Sequence, residues 1–346
     1  MMTQLLLWGI VAFGISFVGT VFVKQLAFRG GLLDHPGQKR KIHSRPTARL
    51  GGLAIFLAFA IVVCILLWIS PTLTDGRITF FHYMGLLLGG VILMLGGALD
   101  DLFDLPPRLS FIAPLLATIT LLLFGVGVEK MTNPFGGVIY LTLWQSHLLV
   151  FLWMMTVMYT TKFLDGLDGL ATSVSSVGAL MILLLAQTVA YAQPDVSLLA
   201  TVVLGALLGF LFWNFHPASI FLGEGGSTFV GYLLGTLAII SGGKLATALL
   251  VLGIPLLDVV WVIVRRFRLG GVRRILQADR RHLHHRLFDR GWGQRRIVFV
   301  YVLVATVFGT CTLFLQSREK LVALILLGVM MFIIAVILVK QEKSSR

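Results

Sequence analysis

The sequence predicts an all-α polytopic membrane protein of about eleven transmembrane helices, with its N-terminus outside and its C-terminus in the cytoplasm. Three observations predict it. Of the 346 residues, 58% are hydrophobic and only 12% are Asp, Glu, Lys or Arg, against roughly 25% charged residues in soluble domains. The apolar residues fall in uncharged runs of bilayer-crossing length, about 20 residues each. The 28 Lys and Arg are divided very unevenly between the two sides that those runs define.

In order, the runs lie near residues 4–24, 50–70, 81–99, 109–126, 147–164, 170–192, 197–213, 227–242, 244–264, 297–316 and 321–339. The first has no Lys or Arg before it and no small-residue cleavage pattern after it, so it reads as a retained helix rather than a secretory signal. With alternating orientation, one side receives residues 24–49, 100–108, the surroundings of Lys162, 265–296 and the tail from Lys340. These segments hold 23 of the Lys and Arg, and the other side holds five. The positive-inside rule makes the richer side cytoplasmic.

The net charge of +13 is therefore an orientation signal. It is not a nucleic-acid footprint, because the charges sit in short loops beside spans. Cys64 and Cys311 lie inside apolar runs, which excludes a disulfide framework and a Cys-type zinc site. No fixed-period repeat is present, and the loops leave no room for a large soluble domain. Residues 1–346 read as one integral-membrane domain with cytoplasmic loops at 25–49, 100–108, 162–170, 214–227 and 265–296.

Acidic residues obey no positive-inside rule, so their placement says more. Eleven of the fifteen fall on the cytoplasmic side or at cytoplasmic helix ends, among them Asp100, Asp101 and Asp104, then Asp165 and Asp168 in Asp-Gly-Leu-Asp-Gly, then Glu224. Ionisable groups at membrane depth are costly and mark function. Carboxylates suit a magnesium ion shared with substrate phosphates, and arginine forks suit phosphate oxygens. Carboxylates and arginines together at a membrane surface point to metal-assisted phosphate chemistry. Asp165 and Asp168, spaced i and i+3, are expected on one helical face.

The glycine-rich segment 214–227 precedes a helix expected to begin near Ser227, where open amides favour an anion. The longest loop carries Asp279-Arg280-Arg281-His282-Leu283-His284-His285-Arg286. Its arginines oppose a bound cation and no Cys accompanies its histidines, so a phosphate or sugar clamp fits it better than zinc.

These segments, taken together and in order, resemble the polyprenyl-phosphate N-acetylhexosamine-1-phosphate transferases. The resemblance runs from Asp34 to Arg295 through Arg40-Lys41-Ile42-His43, Pro46 to Gly52, Asp100-Asp101, Asp165 to Gly169, Asn214 to Ser227 and His282-Leu283-His284-His285. The His-Leu-His-His form is similar to the bacterial branch that loads N-acetylglucosamine-1-phosphate onto undecaprenyl phosphate.

The resemblance implies attack of the lipid phosphate on the sugar-linked phosphorus of a UDP-N-acetylhexosamine, with release of UMP, at the cytoplasmic face of a bacterial inner membrane. It assigns Asp100 to accepting a proton from, or orienting, the lipid phosphate. Asp101 is its metal-side neighbour, and Glu224 stands at the position of the magnesium carboxylate. It assigns Lys41, His43, Asp165, Asp168, Asn214, Arg281, His282, His284 and His285 to substrate contacts. It implies Mg2+, with Mn2+ as the alternative ion, and leaves a homodimer open.

Two positions depart from the pattern. Glu224 stands where the family has Asp, and Lys162 where it has Asn three residues before Asp165. Lys162 is placed to pair with Asp165 or to meet a phosphate. These departures motivate a second reading, a family member that binds without turnover. A transporter, the third, would place charges near the membrane midplane rather than at one face.

Overall fold

A computed structural model describes residues 2–36, 45–189, 191–242, 244–270 and 282–344 of the chain. Lys41, His43 and Arg281 lie outside the described residues.

The architecture is helical. The helices are α1 (Met2–Arg29), α2 (Gly51–Ile69), α3 (Phe80–Phe103), α4 (Pro107–Ser110), α5 (Ile112–Leu123), α6 (Leu143–Leu164), α7 (Leu170–Gln187), α8 (Pro194–Asn214) and α9 (Gly223–Ile240). There follow α10 (Leu245–Val251), α11 (Gly253–Gly270), α12 (Leu283–Asp289), α13 (Gln294–Phe314) and α14 (Ser317–Ser344). The strands are short. β1 (Leu33–Asp34) pairs antiparallel with β2 (Thr47–Ala48), and β3 (Lys130–Thr132) with β4 (Val138–Tyr140).

Helices α7, α8 and α9 form the centre and are apolar on nearly every side, as helices shielded all round must be. Around them, α1 and α2 pack on α8, α3 and α6 pack on α9, and α13 packs on α7. The peripheral helices leave Leu7, Ile10, Leu95 and Phe299 exposed, and a bilayer is the solvent that makes such faces stable. Trp68, Phe81, Tyr140 and Trp144 stand exposed together at one end of the bundle, like the aromatic belt of a membrane interface.

Among the described residues, seven helices are long and apolar enough to cross a membrane, or eight if one bent pair counts as a single span, against the eleven expected. Three of the four differences have local causes, and the fourth run, 321–339, lies on α14. The run at 244–264 is broken between α10 and α11 with a bend of 78°. Pro255 lacks the N–H that would continue the ladder, and Gly253 lets the Leu327 side chain approach. The run at 109–126 shortens to Pro107–Leu123 behind Pro106-Pro107. The run at 227–242 lies on α9, whose first turn, Gly-Glu-Gly-Gly-Ser, is polar.

Candidate active site

The end of the bundle opposite the aromatic belt gathers the last turns of α3, α6 and α8 with the first turns of α2, α7, α9 and α13. Backbone bonds set this assembly. Ala48 O accepts from Phe221 N at 2.8 Å, and Gly51 N and Gly52 N donate to Phe221 O and Leu222 O at 2.9 Å, which lays the start of α2 along the loop before α9. Glycines then let the helices close. A Cβ on Gly52 would lie 2.0 Å from Gly226 Cα, and one on Gly97 would lie 2.1 Å from Gly225 Cα, so α9 crosses α2 and α3 backbone against backbone.

This crossing delivers Glu224. Helix α9 begins at Gly223, four residues before the start expected at Ser227, and Glu224 sits in its first turn. Its open amides meet a carboxylate from within the chain, Glu224 N donating to Asp101 Oδ2 at 3.0 Å, a favourable match at a helix N-terminus. Gly223, at φ 78°, comes so close to Asp101 that a Cβ would sit 2.6 Å from its Oδ2. Asp101 Oδ1 faces Arg49 Nη1 at 3.8 Å.

Arg49, not singled out from the sequence, is the hub of this side. It pairs with Asp34 and lies 4.0 Å from Asp104. Burial opposes its charge, but Asp34, Asp101 and Asp104 outweigh burial and hold the guanidinium above its ordinary value. The β1–β2 pairing brings Asp34 and Arg49 together. The only signal for it was an arginine directly before the Leu-Gly-Gly start of α2.

Lys162 does not pair with Asp165. It projects from the last turn of α6 across to α9, where its Nζ lies 2.6 Å from Glu224 Oε2 and 3.9 Å from Asp100 Oδ2. Its ammonium also stands 5.8 Å from the Tyr159 ring centroid. Asp100 Oδ1 accepts from Leu105 N at 3.1 Å and so helps close the end of α3.

Asp165 and Asp168 do not share a helical face. Residues 165–169 form the turn between α6 and α7, where Gly169 at φ 72° takes a backbone that side chains disfavour. Asp165 faces the acidic cluster. Burial first, and then the charges of Glu224, Asp101 and Asp168, push it up to about 8. Asp168 turns the other way and accepts from Ala218 N at 3.1 Å, with its Oδ2 2.7 Å from His216 Nδ1. Arg295 donates to His216 O at 3.1 Å. Asn214 is spent inside the protein, donating to Ile220 O at 3.0 Å and accepting from Thr172 Oγ1 at 2.9 Å.

The histidine segment closes the far wall. Asp258 on α11 accepts from Leu283 N and lies against His282 Nδ1, both at 2.9 Å, so it caps α12 and fixes the His282 ring. That ring stacks on Phe163 with centroids 5.5 Å apart. A Cβ on Gly166 would lie 2.5 Å from His284 Nε2 and 3.0 Å from His285 Nε2, so both rings reach the Asp165–Gly169 turn. Burial, then His285 and His282, push His284 well below the ordinary imidazole range.

The residues as placed do not fit a magnesium ion. The ion needs near-octahedral oxygen ligation at 2.0–2.1 Å. Here an ammonium already stands between Glu224 and Asp100, and the Asp101 oxygens face an N–H and a guanidinium. Among the described residues, no three His, Cys, Asp or Glu converge on a point where a metal could sit. What the site does offer is a set of fixed cations and N–H donors beside carboxylates at one bundle end, the equipment for holding phosphates.

Comparison with known proteins identifies the family. The profile described as glycosyl transferase family 4 matches residues 83–242. The chain is 30% identical over 338 residues to the Bacillus subtilis "Probable undecaprenyl-phosphate N-acetylglucosaminyl 1-phosphate transferase", covering 95% of this chain and 90% of that one. It is 33% identical over 355 residues to the Mycobacterium tuberculosis "Decaprenyl-phosphate N-acetylglucosaminephosphotransferase", covering 94% and 86%. Similarity to the Geobacillus kaustophilus "Phospho-N-acetylmuramoyl-pentapeptide-transferase" is 28% over 333 residues, covering 89% and 97%. With its similarity running most of the length of these relatives, the chain belongs to the polyprenyl-phosphate N-acetylhexosamine-1-phosphate transferases of glycosyl transferase family 4.

Proposed function

We propose that the protein transfers N-acetylglucosamine-1-phosphate from UDP-N-acetylglucosamine to undecaprenyl phosphate, releasing UMP and starting a lipid-linked cell-envelope glycan. The observation that carries the reading is the convergence of Arg49, Asp100, Asp101, Lys162, Asp165 and Glu224 with the histidine segment at one bundle end. A lipid phosphate lies at headgroup level and a nucleotide sugar comes from water, so both reach such an end. We place it on the cytoplasmic face of a bacterial inner membrane by the 23 to five division of Lys and Arg, with eleven spans and the N-terminus outside.

In the step, a lipid-phosphate oxygen bonds to the sugar-linked phosphorus. The bond from that phosphorus to the bridging oxygen breaks, and UMP leaves with that oxygen and the electron pair. A proton on the lipid phosphate passes to Asp100. Arg49 and Lys162 offset charge on the phosphoryl oxygens, and positioning with electrostatics supplies most of the acceleration. The Asp165–Gly169 turn and the histidines hold the nucleotide sugar. Magnesium enters no step of this reading, since the residues as placed do not fit it.

The test is UMP release by the purified protein in lipid nanodiscs. UMP and a lipid-linked N-acetylglucosamine product are expected only when UDP-N-acetylglucosamine and undecaprenyl phosphate are both present. Asp100→Asn is expected to lower that rate by at least about 100-fold, as for a lost general base. Release that ignores the lipid overturns the reading, and UDP-sugar binding without any release makes the protein a binding member of the family.

A further inference from the structure

We propose that Lys162 is the resident cation of this active site, its ammonium standing between Glu224 and Asp100 in the role a divalent ion would otherwise fill, so that transfer proceeds without a bound metal. The proposal rests on the transferase reading. Its origin is that the chain's two departures from the family pattern, Lys162 on α6 and Glu224 on α9, meet in one ion pair of 2.6 Å. Together they exchange a neutral amide and a short acid for an ammonium and an acid one methylene longer, and the longer acid spans the gap to the lysine.

The frame around the pair gives it a fixed place. Helices α6 and α9 approach at Gly231, where a Cβ would lie 2.3 Å from Thr161 Oγ1 and 2.7 Å from Met158 Cα. That contact sets the turn carrying Lys162 against the helix carrying Glu224. The lysine is largely enclosed, and the Tyr159 ring flanks its ammonium. An ammonium carries three donors. At 2.6 Å from Glu224 Oε2 and 3.9 Å from Asp100 Oδ2, it has donors within reach of a lipid phosphate arriving on the Asp100 side. As the phosphorus–oxygen bond breaks, a donor held there is aimed at the oxygens that gain charge and requires no reorganisation. A dication at the same place would lie beside the ammonium and be repelled by it.

The experiment is UMP release by the full-length protein in nanodiscs, with EDTA and then with added magnesium. Manganese binding is followed in parallel by electron paramagnetic resonance. Wild type is expected to keep turning over in EDTA and to bind no manganese at the site. Lys162→Met is expected to lose about 100-fold or more in either buffer, the scale of one missing donor at a charge-developing oxygen.

The double variant Lys162→Asn with Glu224→Asp restores the family pair, and is expected to bind manganese and to turn over only with added divalent ion. Wild-type turnover abolished by EDTA and restored by magnesium overturns the proposal, as does manganese bound by wild type and displaced by magnesium. If no variant releases UMP, the transferase reading fails and metal-free transfer fails with it, and manganese binding then decides only whether Lys162 holds the place of an ion. Binding gained only by the double variant supports that placement, and binding by wild type overturns it.

Discussion

Asp165 shows how far one residue's surroundings are tuned away from stability. Its carboxyl, ordinarily titrating near 3.8, is pushed up to about 8 by burial and by the charges of Glu224, Asp101 and Asp168. The folded protein therefore holds a proton there that the unfolded chain releases. The stability tied to that proton is complete below pH 3.8 and is lost as pH rises through about 8. Thermal unfolding of the unliganded protein should show this loss. Asp165→Asn, which stays neutral, should flatten the profile and melt higher than wild type at pH 9 while UMP release falls. An unchanged profile in the variant would place the acidic strain elsewhere. Such a trade is expected where a site stores unfavourable charge for use on a substrate.

At this scale the sequence was legible in its acids and less so in their partners. Asp100, Asp101, Asp165 and Glu224 stood out because carboxylates at helix ends are costly. Arg49 and His216 did not, because an arginine before a glycine pair and a histidine before a proline carry no periodic signal. Only the fold sets Arg49 against Asp34 and Asp101, and His216 against Asp168. Asn214, assigned to substrate contact by the resemblance, ties α8 to the neighbouring loop and to α7 through both ends of its amide.

Among the elements, α9 is the most demanding because backbone meets backbone at both of its crossings. Gly97→Ala should force the start of α9 away from α3, at a cost of about 1–3 kcal/mol for overpacking. It should also separate Glu224 N from Asp101, which are 3.0 Å apart. Unfolding in denaturant together with UMP release measures both, and a variant as stable and active as wild type would show that the crossing has slack. Helix α12 makes a different demand. Asp258 fixes it by one bond to the cap amide and one to His282, so Asp258→Ala should lose about 1 kcal/mol of cap stability and let the His282 ring turn. Asp258→Asn keeps an acceptor for Leu283 N. It should recover the stability but not the full affinity for UDP-sugar, and a split of that kind separates positioning from folding.

Element boundaries follow the same logic. The long runs became helices because nothing interrupts them. Three of the shortfalls sit at an interruption: at Pro255, at the proline pair Pro106-Pro107 that opens α4, and in the polar first turn that starts α9 ahead of Ser227. The i, i+3 spacing of Asp165 and Asp168 suggested a shared face, but α6 ends at Leu164 and α7 starts at Leu170, so both acids lie in the turn between the helices. Spacing rules apply only within an unbroken helix.

For the whole molecule, the uneven distribution of Lys and Arg predicts the sidedness of the site. A cysteine introduced at Asn133, in the β3–β4 hairpin, should react with an impermeant maleimide on intact cells. One at Gly271, in the basic loop, should react only after permeabilisation. Reversed labelling would put the acidic cluster on the outer face, away from a cytosolic nucleotide sugar. The aromatic residues at the opposite end give an independent check, since tryptophan fluorescence from Trp68 and Trp144 should respond to quenchers at the lipid interface.

The contact between Lys162 and Glu224 also divides into two unequal steps between related sequences. A chain that first gains the lysine opposite an aspartate keeps a cation facing an acid, with only a longer gap between them. A chain that first gains the glutamate opposite an asparagine keeps the same number of carboxylates beside Asp100 and Asp101 and only moves one of them by a methylene. The lysine step adds a cation among acids and relieves their repulsion, whereas the glutamate step leaves that repulsion as it was. The lysine therefore carries the whole change of charge at this site, and the glutamate only the reach that closes the pair.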